Sequence, residues 1–194
     1  MAAQKMQGRV QYLRIDSNCI LLSEARIHAL CSMASTYSIP ILLVCTIDAH
    51  TPKVYEEVKG AKKLLQVRKN IHSLLKERQK YGADCMLNIQ IQFVVQQGNA
   101  HECHSFLYYW KAIFDKYGGD WHDELMFKRL SVGGGSSGQS QADQLYEKSI
   151  QGTGITQKKY GNLHVLCWEH RPWQNDDQHQ EKRKPCPGLW MTPV

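Results

Sequence analysis

Ile39-Pro40-Ile41-Leu42-Leu43-Val44-Cys45-Thr46-Ile47 is a dense apolar run rich in β-branched residues, and it reads as a strand buried on both faces. Asp48-Ala49-His50-Thr51-Pro52 follows as a turn, with Thr51 placed to cap a helix and Pro52 at its first position. Residues 53–81 then repeat apolar side chains at three- and four-residue steps, among them Val54, Val58, Leu64, Val67, Ile71 and Leu74. The intervening positions carry cations: Lys59, Lys62, Lys63, Arg68, Lys69, Lys76 and Arg78. That spacing predicts a long helix with a solvent-facing basic side, bent or divided at Gly60 and ended by Gly82.

The same reasoning extends in both directions. Residues 10–15 alternate like a strand, and residues 21–37 read as a helix with Ser23 at its N-cap. Residues 85–96 set Asn88, Gln90 and Gln92 against Leu87, Ile89, Ile91 and Phe93, which predicts a strand with one polar face. Phe106, Leu107, Trp110, Ile113 and Phe114 predict a helix over 101–117, and residues 121–130 read as a further short helix. A short helix over 143–150 and a strand over 163–168 complete the elements. The order β-α-β-α-β-α, followed by a loop-rich C-terminal part, predicts an α/β (or α+β) fold with helices packed on a single sheet. The expected organisation is one domain over 1–170 and an extended tail over 171–194. Within the domain, the Gly/Ser-rich stretch 132–142 reads as a flexible linker that resembles an engineered splice.

Composition narrows the class. No apolar run approaches the roughly 18–20 residues that span a bilayer, and the polar N-terminus lacks a signal-peptide core. The expectation is a cytoplasmic or nuclear protein with no membrane contact. Seven cysteines at irregular spacing, an odd count, argue against a disulfide framework. The net charge of +6 is a mild basic bias that permits nucleic acid as a partner without demanding it.

Two donor clusters stand out, His101-Glu102-Cys103-His104 and Cys167-Trp168-Glu169-His170, whose cysteines are 64 residues apart (167 − 103). Cys and His are the donors that hold zinc in closed tetrahedral sites. The expected cofactor is a structural zinc ion on Cys103, Cys167 and His170 with His101 or His104. Such a closed site does no chemistry. The function it implies is a zinc-stabilised binding or adaptor module working through protein contacts, of the kind found among viral accessory and host-interaction factors. Trp173 and Trp190, aromatics in a polar tail, are the candidate anchors for a protein partner. Lys62, Lys63 and Lys69 are the candidates for a nucleic-acid contact.

The alternative is catalytic. A polar-faced strand, clustered histidines and a later tyrosine beside lysines resemble the HUH single-strand endonucleases. The resemblance implies a divalent ion on the histidines and attack on phosphate by Tyr160, after Lys158-Lys159, or by Tyr146, before Lys148. The chain departs from that pattern in having His-x-x-His where the family has His-x-His, which puts the pairing of both rings on one strand face in question. A non-catalytic nucleic-acid binder is the third possibility. No G-x-S-x-G, Gly-Lys-Ser/Thr or Pro-Cys-x-x-Cys signature is present.

Overall fold

A computed structural model describes residues 12–37, 39–119, 121–131, 136–151, 155, 158–160 and 163–168. The elements run β1 (Leu13–Ser17), α1 (Glu24–Thr36), β2 (Ile41–Thr46), α2 (Pro52–Lys59), α3 (Leu64–Tyr81), β3 (Leu87–Val95), α4 (Cys103–Tyr117), β4 (Glu124–Arg129), α5 (Ser136–Gln151), β5 (Lys158–Tyr160) and β6 (Leu163–Trp168). Single 3₁₀ turns follow α3 and precede α4. The six strands form one sheet in the order β1-β2-β3-β4-β6-β5. All neighbours are parallel except β5, which returns antiparallel along β6. The α/β architecture with helices on one sheet is as the sequence predicts.

Local chemistry sets the helix ends. Ser23 Oγ accepts the Arg26 N–H, and Thr51 Oγ1 accepts the Val54 N–H with Pro52 in the first turn behind it. The long basic helix is divided where expected. Gly60 takes φ +68°, a left-handed conformation that a side chain resists, so α2 stops there and α3 restarts at Leu64.

The parallel strands β1, β2, β3, β4 and β6 lie in chain order, and parallel crossovers are right-handed, so every described helix falls on the same side of the sheet. The buried residues agree. Ile41, Leu43 and Cys45, Leu87, Ile89, Ile91 and Phe93, Leu125 and Phe127, and Leu163 and Val165 share one core with the inward residues of α1 to α5. Leu42, Val44 and Met126 point the other way; they are buried yet stand outside that core. This single-sided winding differs from that of a doubly wound sheet with helices on both faces.

Three expectations are corrected. Residues 121–130 do not form a helix; they contain β4, whose Leu125 and Phe127 enter the core while Glu124, Met126 and Lys128 lie on the opposite face. A two-residue alternation this short is easily taken for a helical stripe. Arg78 does not face solvent with the other cations of α3. It is fully buried, donates to both carboxylate oxygens of Asp123 (2.7 and 2.6 Å) and to the Leu87 carbonyl (3.0 Å), and stacks on Trp121. Finally, α5 begins at Ser136, so the second half of the 132–142 stretch is helical rather than a linker, while residues 132–135 lie outside the described residues. The tail over 171–194 also lies outside them.

Candidate functional site

The face of the sheet away from the helices carries the chemistry. Strand register places Asp16, Val44, Gln90, Glu124 and His164 in one row across five strands. Toward the carboxyl ends of the strands, the next row is Thr46, Gln92, Met126 and Leu166. Toward the amino ends, Arg14, Leu42 and Asn88 form another. Lys128 lies one step beyond Met126 on β4. Residues two apart on a strand share a face, so these side chains make one polar surface with an apolar floor of Leu42, Val44, Met126 and Leu166.

The centre of this surface is buried: Asn88, Gln90, Gln92 and Glu124 are all less than a tenth exposed. The Asn88 amide oxygen accepts the His122 N–H at 2.9 Å. The Gln90 amide donates to the Glu124 carboxylate. Burial raises the Glu124 carboxyl above the usual carboxylate range, against the lowering effect of Gln90, with Asp123 adding to the rise. Burial lowers the Lys128 ammonium, Arg14 adds to that, and Asp16 and Asp48 oppose it. The Gln92 amide oxygen is buried with no hydrogen-bond partner among the described residues. A polar atom left this way costs about 1–3 kcal/mol, so it needs an explanation.

The carboxyl ends of β2 and β3 are held rigidly beside it. Asp48 sits at φ +58°, and its side chain accepts the Val94 N–H at 2.7 Å and pairs with Lys59. The Asn99 amide donates to the Asp48 carbonyl (2.8 Å) and to the Val94 carbonyl (2.9 Å). Glu102 is committed to the backbone, accepting the N–H groups of His50 (2.6 Å) and Thr51 (3.0 Å). Arg68 donates to the His50 carbonyl at 2.5 Å and lies over the Tyr109 ring. Burial lowers the His50 imidazole, with Arg68 acting in the same direction. Against this bracket opens a cavity of about 370 Å³ lined by His50, Thr51, Lys53, Glu57, His101 and Ser105.

The zinc candidates divide. Cys103 is fully buried at the start of α4, where burial pushes its thiol up to about 12, and the charge of Cys167 on β6 adds to the rise. Cys103 lies in the hydrophobic core and Cys167 packs against it, so the two distant cysteines share one side of the sheet. Burial raises Cys167 as well, against a hydrogen bond with Tyr146. His101 and His104 are exposed; His101 edges the cavity and the His104 ring packs against Tyr108. His170 lies outside the described residues. Among the described residues, no group of three or more His, Cys, Asp or Glu is placed to hold a metal ion.

The other candidates fall as follows. The Tyr146 hydroxyl is buried and donates to the Phe127 carbonyl at 3.2 Å, and Tyr160 belongs to the edge strand β5. His101 and His104 sit on a 3₁₀ turn and a helix, not on a strand. Lys62, Lys63 and Lys69 are exposed, with Lys62 3.3 Å from Glu56. Trp173 and Trp190 lie outside the described residues.

Sequence reading identified the polar side of β3 but missed Glu124 and Lys128, which join it from β4. Their signal was present in the alternation of Glu124, Met126 and Lys128 with Leu125 and Phe127. No known protein family matches this chain, and no curated protein sequence matches it. No helix among the described residues is long and apolar enough to cross a membrane.

Proposed function

We propose that this chain is a small-molecule-binding α/β domain whose ligand lies on the amide-and-carboxyl face of the sheet. One observation carries the reading: Gln92 presents on that face a buried amide oxygen with no partner among the described residues. Native structures pair nearly all such atoms, and an orphan among convergent polar groups is what a ligand donor would satisfy. The ligand implied is polar, offers an N–H or O–H to Gln92, and has an apolar side to lie over Val44 and Met126. Glu124, whose carboxyl burial raises while Gln90 opposes the rise, is the group that would exchange a proton with it. A thermal-shift screen of polar metabolites tests this. A binder should raise the melting temperature of the wild type in a concentration-dependent way and should lose that effect in Glu124→Gln. A binder indifferent to Glu124→Gln would place its site elsewhere.

A second reading keeps the structural zinc and the adaptor role. It is favoured by the placement of Cys103 and Cys167, 64 residues apart (167 − 103), on the core side of the sheet, and it needs His170 as a further ligand. Elemental analysis of purified protein should then find one zinc per chain, and Cys167→Ser should lose it together with much of the stability, because structural zinc binding is folding free energy. Protein free of zinc and indifferent to a strong chelator would remove this reading.

A further inference from the structure

β1 forms one edge of the sheet: it pairs with β2 and with no described strand on its other side. The Leu13 N–H donates to the Pro40 carbonyl on the β2 side. Backbone groups alternate sides along a strand, so Leu13, Ile15 and Ser17 bond inward while the N–H and C=O of Arg14 and Asp16 face outward. An edge of this kind is a template for another strand unless its side chains repel one.

Here the side chains select a particular partner. Arg14 and Asp16 share a face, are 40% and 54% exposed, and pair with each other at 2.9 Å. Suppose a second β1 approaches antiparallel with Ile15 opposite Ile15. Arg14 of each copy then stands opposite Asp16 of the other, in pairs that exchange both backbone hydrogen bonds. Moving the register two residues either way sets Arg14 opposite Arg14 or Asp16 opposite Asp16, which is repulsive. The apolar side agrees. Leu13 and Ile15, with Leu30 and Met33 of α1, pack against the core but remain only half-buried. A two-fold axis normal to the sheet keeps the helix layers on the same side, so it brings α1 against its counterpart over these residues.

We propose that the chain associates with a second copy of itself through β1, antiparallel about Ile15, joining the two sheets into one. Size-exclusion chromatography with light scattering at micromolar concentration tests it. Wild type should run with the mass of two chains. Arg14→Asp and Asp16→Arg should each weaken association by about tenfold or more, since each replaces two attractive pairs by two repulsive ones. The two variants mixed in equal amounts should recover the two-chain species, because opposite charges again face one another across the edge. The double variant Arg14→Asp/Asp16→Arg should recover it too, and circular dichroism should report an unchanged fold throughout. A one-chain wild type overturns the proposal, as do single variants that associate like wild type or a mixture that stays at one chain.

Discussion

Asp123→Ala should cost about 3–5 kcal/mol of stability, because it strands the buried guanidinium of Arg78 without its counter-charge. Arg78 reaches from α3 beneath the sheet to the amino end of β4, where Asp123 takes both of its forks and also accepts the Ile89 N–H at 2.9 Å. The same guanidinium donates to the Leu87 carbonyl and lies against Trp121, whose indole N–H donates to the Cys85 carbonyl at 2.8 Å. Helix α3 and strands β3 and β4 are thus tied at one point. Urea denaturation measures the effect. Asp123→Asn should fall short of Asp123→Ala, since the amide still accepts one hydrogen bond. A loss under about 1 kcal/mol for Asp123→Ala would match an exposed ion pair and contradict the burial described here.

Leu74→Asp should be more damaging still, at roughly 4–5 kcal/mol or more, because it removes a core side chain and buries an unpaired charge in its place. Leu74 is fully buried on the inward side of α3, with Ile71 and Leu75 beside it. Lys63→Glu, by contrast, changes an exposed residue at the N-cap of the same helix, where a negative charge meets the positive end of the helix dipole. It should be neutral or stabilising by up to about 1 kcal/mol. The pair of variants, compared by thermal unfolding, fixes which side of α3 meets the sheet; similar losses for both would mean the buried side has been misassigned.

What could be read from the sequence was what hydrophobic period and capping determine locally. The all-apolar run of β2, the capped start of α2 and the break at Gly60 each rest on residues within a few positions of one another. The limits have the same origin. β4 reads as a helix in the sequence because its six residues alternate too briefly for period two to outweigh period three to four. Arg78 reads as one of the solvent-facing cations because the partner that makes its burial tolerable, Asp123, is 45 residues away in sequence. The polar side of β3 was visible as a pattern, but Asn88, Gln90 and Gln92 look like solvated residues until β4 delivers Glu124 and Lys128 beside them. The cysteine clusters showed the reverse. Their spacing suggests a joint site, and the fold sets Cys103 and Cys167 on the core side of the sheet, yet it turns His101 and His104 outward. That orientation depends on where the 3₁₀ turn hands over to α4, which donor spacing alone does not specify.

The central claim is that the buried amide of Gln92 is kept for a ligand at a cost to stability. Gln92→Leu, measured by thermal unfolding with and without a compound that stabilises the wild type, tests this most directly. The apolar replacement is close in size and removes the orphan oxygen, so the variant should be more stable than wild type by about 1 kcal/mol, or about 2–4 °C in melting temperature, in the absence of any ligand. It should also lose the shift that the compound gives the wild type. A variant less stable than wild type that still responds fully to the compound would show that Gln92 serves the fold and not the site, and would contradict the account.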